Sequence, residues 1–208
     1  VYPDEIDDEL IEVLATEPKI VKYLDIPIQH CNDKILSTMH RRGDKKLIVD
    51  LFAKLRQRIP GLVIRTSLIT GLPGEGEDEF QELCDFLREQ KLERVGAFVF
   101  SPEEGTPAAT MDHVDEEVAK ERADTLEMIQ SQIMDEYNAA QIGKTLEVLV
   151  DGYDEEQEQF YGRTYADSPD IDGRVRIGSE EPLHEGDFVM VTVDGTVDGD
   201  LTGYVQEA

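Results

Sequence analysis

Three short apolar segments alternate with helix-patterned stretches: YLDIP (23–27), LVIRTSLIT (62–70) and RVGAFVF (94–100). That alternation constrains the fold more than any other feature. A parallel neighbour cannot be reached through a tight turn, so strand–helix–strand order implies parallel strands joined by helical crossovers. The near-continuous apolar character of the three segments predicts burial on both faces. Between them, Asp44 is placed to cap a helix whose apolar positions Leu47, Ile48, Leu51, Phe52 and Leu55 repeat at 3.6 residues, with Pro60–Gly61 ending it. Asn32 or Asp33 caps a shorter helix through Ile35, Leu36 and Met39, and a first helix is expected from Glu5 to Thr16, stopped by Pro18. A further helix, Glu77 to Gln90, opens on Glu77, Asp78 and Glu79, acids that complement its dipole.

Each strand runs into a polar or glycine-rich stretch: QHCND after the first, GLPGEGED after the second, SPEEGTPAAT after the third. In α/β folds ligands bind at the carboxyl ends of the strands. A glycine turn admits close approach to the backbone. One such turn makes only a turn; three at one edge predict a site.

A long helix is expected from about Asp115 to Gln141, with Val118, Ile129, Ile133, Met134 and Tyr137 as its stripe. After it the texture changes. TLEVLV, GRVRIG and DFVMVTV alternate with Gly- and Asp-rich turns, which predicts a small all-β barrel or sandwich. The boundary is placed near Ala140, giving an α/β part over 1–140 and a β-domain over 141–208.

Charge separates the two parts. The chain carries 47 acidic and 20 basic residues, net −27, a field that repels phosphate backbones at long range. The β-domain holds 17 acids and four bases (Lys144, Arg163, Arg174, Arg176), net −13 in 68 residues, about twice the density of the rest. Nucleic-acid readers need Lys and Arg lining a face, so the expected partner of this domain is a basic protein and not nucleic acid.

Cys31 and Cys84 are too far apart for a CxxC metal site, and Cys84 falls on the apolar face Phe80, Leu83, Cys84, Leu87. No metal site is expected from them. The sequence holds no apolar run of 18 residues and no export-signal pattern, and no membrane association is expected; with few cysteines this points to the cytoplasm. The start at Val-Tyr-Pro is read as that of a fragment, or of a processed or cloned terminus.

YLDIPIQH, IRTSLITGLPGEGEDEF and RVGAFVFSPEEGTPAA resemble three consecutive strand motifs of the radical S-adenosylmethionine methylthiotransferases. IGKTLEVLVDG, FYGRTYADSPDIDG and LHEGDFVMVTV resemble the TRAM β-barrel that closes such enzymes. The resemblance implies a partial parallel (β/α) barrel of radical S-adenosylmethionine type followed by a small all-β TRAM barrel. The YxDIPxQH form, FSPEEGTPA and GRxxxDSPDIDG favour the branch that methylthiolates an aspartate of small-subunit ribosomal protein twelve. The tRNA-modifying branch typically has Gln-Ser-Gly-Ser where Gln29, His30, Cys31 and Asn32 stand, and an arginine at Glu103 or Glu104. The implied cofactors are S-adenosylmethionine and two 4Fe-4S clusters. The CxxxCxxC motif and the second cysteine set that hold those clusters do not occur in these residues. The chain is therefore read as the C-terminal part of such an enzyme, inactive alone. A tRNA-modifying fragment and a non-enzymatic acidic binding module are the competing readings.

The resemblance also implies site residues, all of them cofactor-binding; no catalytic residue is assigned. Ser67-Leu68-Ile69-Thr70-Gly71 corresponds to a GxIxG strand that contacts adenine, with Ser67 in place of the first glycine, Ile69 offering apolar contact and Gly71 admitting close approach. Arg65, Ser67 and Ile69 share a face at a two-residue period. Arg65 is read either as a partner of the methionine carboxylate or as one half of a structural ion pair. Glu75 either accepts from the ligand's ribose or amine, or complements the next helix. Gln29 and His30 end the first strand, where either contacts ligand or substrate, or His30 is a satisfied, partly buried histidine.

Overall fold

A computed structural model describes residues 1–206, so the last two positions of the expected β-domain lie outside the described residues. The chain divides into two compact units, Val1–Ile133 and Met134–Ala208.

In the first unit, a 3-10 turn at Pro3–Glu5 precedes α1 (Asp8–Thr16). The single helix expected from Glu5 is broken because Ile6 is extended and Asp7 caps α1, accepting from the Leu10 N–H. There follow β1 (Tyr23–Asp25), α2 (Asp33–Thr38, capped by Asn32), α3 (Lys45–Arg58, capped by Asp44), β2 (Val63–Thr70), α4 (Glu77–Gln90), β3 (Arg94–Val99) and α5 (Glu116–Ala139). β1 pairs parallel with β2 (Asp25 opposite Arg65) and β2 parallel with β3 (Ser67 opposite Gly96, Ile69 opposite Phe98). The order β1-β2-β3 is the sequence order, and because both pairings are parallel all three strand-end loops leave one edge of the sheet.

The core gathers Ile26, Ile28, Ile64 and Leu68 with Ile48, Phe52 and Leu55 of α3, Leu83, Phe86 and Leu87 of α4 and Leu126 of α5. The rings of Phe52 and Phe86 stand 6.4 Å apart, both fully enclosed. Burying each such side chain stabilises by about 1.5–3 kcal/mol.

Two further expectations need correction. The sheet is fully buried on one face only. Ile64, Thr66, Leu68 and Thr70 are enclosed, whereas Arg65, Ser67 and Ile69 are half-buried and Phe98 on β3 is 52% exposed. An uninterrupted apolar run does not reveal that difference, because strand geometry alternates the faces whatever the composition. The stripe of α5 also differs. Ala119, Ala123, Leu126, Ile129 and Ile133 are buried, while Val118 is exposed and Met134 and Tyr137 are half-buried. Val118 sits one residue off the buried series, about 100° around the helix.

The second unit is a closed barrel in the order β4-β5-β6-β8-β7: β4 (Thr145–Asp154), β5 (Gln159–Arg163), β6 (Val175–Gly178), β7 (Phe188–Val197) and β8 (Asp200–Val205). The pairings are antiparallel except β6 with β8. Val148, Val150, Val175, Ile177, Val191, Val193 and Leu201 fill it. Closure removes the free edges that a flat sheet of these strands would present.

Candidate functional site

The carboxyl edge of the three-stranded sheet gathers chemistry from four elements. After β1 the chain stays beside β2. Thr66 Oγ1 donates to Ile26 O at 2.7 Å and accepts from Ile28 N at 3.1 Å, and Gln29 bridges to Leu68. Gln29 N–H donates to Ser67 O, and Gln29 O accepts from Ile69 N–H. Gln29 holds φ +67°, a left-handed conformation uncommon outside glycine, and the bonds on both sides of it maintain that geometry.

His30 follows, fully enclosed. Its Nδ1 accepts from the Asn32 N–H at 2.9 Å, so a neutral ring carries its proton on Nε2. Nε2 faces Glu75 Oε2 at 3.6 Å, both side chains inaccessible to solvent; the gap exceeds a hydrogen bond, and neither atom has another hydrogen-bond partner. Glu75 Oε1 accepts from the Gly71 N–H at 3.0 Å and from Arg122 Nη1 at 2.8 Å; Arg122 Nη1 also donates to Glu75 O at 3.0 Å. The Arg122 guanidinium lies 5.1 Å from the Phe80 ring centroid. Burial on its own pushes the Glu75 carboxyl up. The His30 ring, the Gly71 amide and Arg122 together outweigh it and hold the group below the usual carboxylate range.

These hydrogen bonds fasten the β2–α4 turn to α5, and the His30 ring of the post-β1 loop packs against the carboxylate they hold. Gly71 completes this network. At φ +78°, an added Cβ would stand 2.5 Å from Ala119 Cβ, and beside it Thr70 Oγ1 donates to Ala119 O at 2.8 Å. A side chain at position 71 would drive α5 off the turn.

Arg65, Ser67 and Ile69 do share a face, and it is the open one. Arg65 Nη1 donates to Asp25 Oδ2 at 2.6 Å, while Asp25 Oδ1 is buried and accepts no hydrogen bond. Gly96, opposite Ser67, leaves room beside Phe98 and Arg65, since a Cβ there would meet the Phe98 ring at 3.1 Å and Arg65 Nη2 at 3.9 Å. The open face thus presents an apolar pair (Ile69, Phe98), a hydroxyl (Ser67) and a charge pair with an unmet acceptor. Past the ends of β2 and β3 lies a cleft of roughly 450 Å³ lined by Gly71, Phe100, Pro102, His113, Val114 and Ala119. His113 Nε2 is 2.7 Å from Ala108 O and its ring stacks obliquely on Phe100 at 5.9 Å.

The candidate residues therefore separate. Arg65, Ser67 and Ile69 line the open face, Gly71, Glu75 and His30 form the enclosed network, and half-buried Gln29 connects the two through its backbone. Sequence reasoning passed over Arg122 and Phe98. Arg122 had a visible signal, a charge on the buried stripe of α5 between Ala119 and Leu126. Phe98 had none, because only register places it opposite Ile69.

Cys31 and Cys84 are buried free thiols. Burial, then the charge of Glu82, pushes the Cys31 thiol up to about 12, and burial likewise raises Cys84. Iron–sulfur ligation needs thiolates, so these two cysteines do not fit a cluster. Among the described residues no group of three or more His, Cys, Asp or Glu is placed to hold a metal ion, and no helix is long and apolar enough to cross a membrane.

Residues 2–87 match the family model of the Radical SAM superfamily, and residues 142–205 that of the TRAM domain. The ribosomal protein uS12 methylthiotransferase RimO of Acetivibrio thermocellus is 45% identical over 205 residues, covering 98% of this chain and 45% of that protein. The RimO of Lachnoclostridium phytofermentans is 46% identical over 203 residues, covering 97% and 46%. The chain thus spans about 45% of the length of the curated relatives it matches. Among solved structures, coproporphyrinogen III oxidase (HemN) from Escherichia coli, described as a Radical SAM enzyme, superimposes with a TM-score of 0.54 at 18% identity, over 64% of this chain and 31% of that one. That likeness is one of fold alone.

Proposed function

The chain is a homologue, over nearly its whole length, of radical S-adenosylmethionine methylthiotransferases, and on that premise we propose that it supplies two parts of an enzyme that adds a methylthio group to an aspartate of ribosomal protein uS12. One part is a wall of the S-adenosylmethionine site; the other is a barrel that recognises the protein substrate. The observation that carries the proposal is the 45% identity to uS12 methylthiotransferases across 98% of the chain, both domains included.

In this reading Ile69 and Phe98 offer an apolar surface to adenine, the Ser67 hydroxyl bonds to the ligand, and Arg65, beside Asp25, presents its guanidinium to the methionine carboxylate. Asp25 Oδ1, buried without a donor, suits the ligand's ammonium group. Glu75 and His30 are enclosed, so they act by fixing the loops, and Gln29 by the backbone geometry it imposes. When bound, S-adenosylmethionine supplies hydrogen-abstracting chemistry at an unactivated carbon; the chain's own residues orient it. The two 4Fe-4S clusters take their ligands from outside these residues, and the chain alone is inactive. The enzyme works in the cytoplasm, where its substrate is made.

The barrel's net −13 supports a basic protein partner over tRNA. Exposed-charge attraction is screened over about 8 Å at physiological salt, so affinity for uS12 should fall steeply as salt rises. Titration of the chain with purified uS12 and with tRNA at two ionic strengths tests this. Salt-sensitive binding of uS12 with none of tRNA is expected; binding of tRNA in preference to uS12 would replace this reading with a tRNA-modifying one.

A further inference from the structure

The outer surface of the acidic barrel carries an apolar strip that its interior does not use. On β7, Val191 and Val193 point inward and are enclosed, whereas Phe188 and Met190 alternate outward, 68% and 45% exposed. The ladder makes the strip contiguous. Leu149 of β4 lies directly opposite Phe188, and Glu147 opposite Met190. Thr192, the next outward residue of β7, lies opposite Tyr204 of β8, itself 51% exposed. Thr145 and Thr192 meet through their hydroxyls at 3.2 Å, which places the β4 and β7 side chains of this row on one face. Leu149 is directly opposed to Phe188, about 5 Å away, Met190 follows two residues along the same face, and Tyr204 reaches the row diagonally beside Thr192, so the four lie along one face of the barrel. Isolated apolar residues on a surface need no explanation; a contiguous group rimmed by charge marks an interaction site.

We propose that this face of β4, β7 and β8 is where the barrel docks its partner, and that the partner is a basic protein segment with apolar anchors that seat between Phe188, Met190 and Tyr204. The proposal rests on the reading of the chain as a uS12-directed enzyme and names the surface that reading leaves open. Charge chooses the occupant. The strip is bordered by Glu147, Glu185 and Asp187, in a domain of net −13. A single-stranded nucleic acid would stack on exposed aromatics, but it also needs a cationic track. Arg163, at the end of the Leu149 row, is instead tied to Asp151. A second copy of the chain would bring −27 against −27. A segment rich in lysine and arginine satisfies the acidic rim, and its apolar side chains cover the strip.

The test uses the whole chain, purified uS12 as probe, and three proteins: the native sequence, Phe188→Ser/Met190→Ser, and a control, Ile171→Ser, altered at an apolar residue 63% exposed outside this face. Both altered residues point outward, so thermal melts should match the native protein. A few buried anchors at interface centres dominate binding energy, and loss of one aromatic and one methionine anchor should weaken uS12 binding by about thirtyfold or more. The loss should be of similar ratio at low and high salt, because apolar contact is not screened, while the control binds as the native chain does. Amide exchange on the native chain should show protection by uS12 across Phe188–Met190 and around Tyr204, a readout independent of whether the variant folds. If uS12 binds the native and Phe188→Ser/Met190→Ser proteins equally, or protects a different face, this docking surface is wrong while the uS12 reading stands. If the native chain self-associates through this face, the docking surface is likewise wrong while the uS12 reading stands; if it binds tRNA through this face, or does not bind uS12, the proposal fails together with that reading.

Discussion

Replacing Arg122 with methionine isolates the contribution of the enclosed network. The side chains of Arg122 and Glu75 are 9% and 0% exposed, and Arg122 gives Oε1 one of its two donors. Methionine preserves much of the packing against Phe80 but leaves a buried carboxylate with only the Gly71 amide and the His30 ring. Removing one partner of a buried pair costs about 3–5 kcal/mol, far more than the pair contributes net, because the remaining charge stays desolvated. In a chain of this size each kcal/mol shifts the melting temperature by about 2–4 °C, so a drop of roughly 6–20 °C is expected. Amide exchange should quicken first at Gly71, whose N–H the carboxylate holds. The dependence on pH gives a second check. The folded pKa of Glu75 lies below its unfolded value, so its stabilisation is complete above the unfolded pKa and is lost as pH falls through the folded one. In Arg122→Met one of the groups that lower it is gone while burial remains, so the folded pKa moves up from its native position and protonation relieves part of the fault. The deficit against the native chain should therefore be greatest near neutrality and narrow below about pH 4. Adding Glu75→Gln should recover part of the loss, since an amide replaces the stranded charge. A cost under about 1 kcal/mol, or additive single and double variants, would refute the claim that this pair is coupled and desolvated.

Gly71→Ala should destabilise the first unit by about 1–3 kcal/mol through overpacking against Ala119, with a further cost for the left-handed backbone. Ala119→Gly should relieve the first cost and not the second, so urea melts of the double variant should recover only partly. The Cys31 thiol, enclosed and raised to about 12, should resist alkylation in the folded chain at mild alkaline pH and react at once in denaturant; quick labelling of the native protein would show that the post-β1 loop opens.

Much of the architecture follows from the sequence alone. The helix caps Asn32 and Asp44, the 3.6-residue stripe of α3 and the three apolar strands are local signals, because each depends on a few neighbouring residues. The change from helical to strand texture after the long helix is equally local, and the motifs carrying the family resemblance lie in continuous stretches. Pairing is not local. Which face of β2 stays open depends on what packs across it, so the same apolar run that predicted full burial conceals Arg65, Ser67 and Ile69 on a half-open surface. The roles of Glu75 and His30 likewise required the third dimension: 45 residues separate them, and Arg122 lies 47 further on, yet one carboxylate joins all three. The outward strip on the barrel was hidden for the same reason, since DFVMVTV announces a strand of a barrel or sandwich but not which neighbours its outward residues meet. Composition and periodicity state what a segment is; which groups meet is decided by strand register and by the single way the helices close over the sheet.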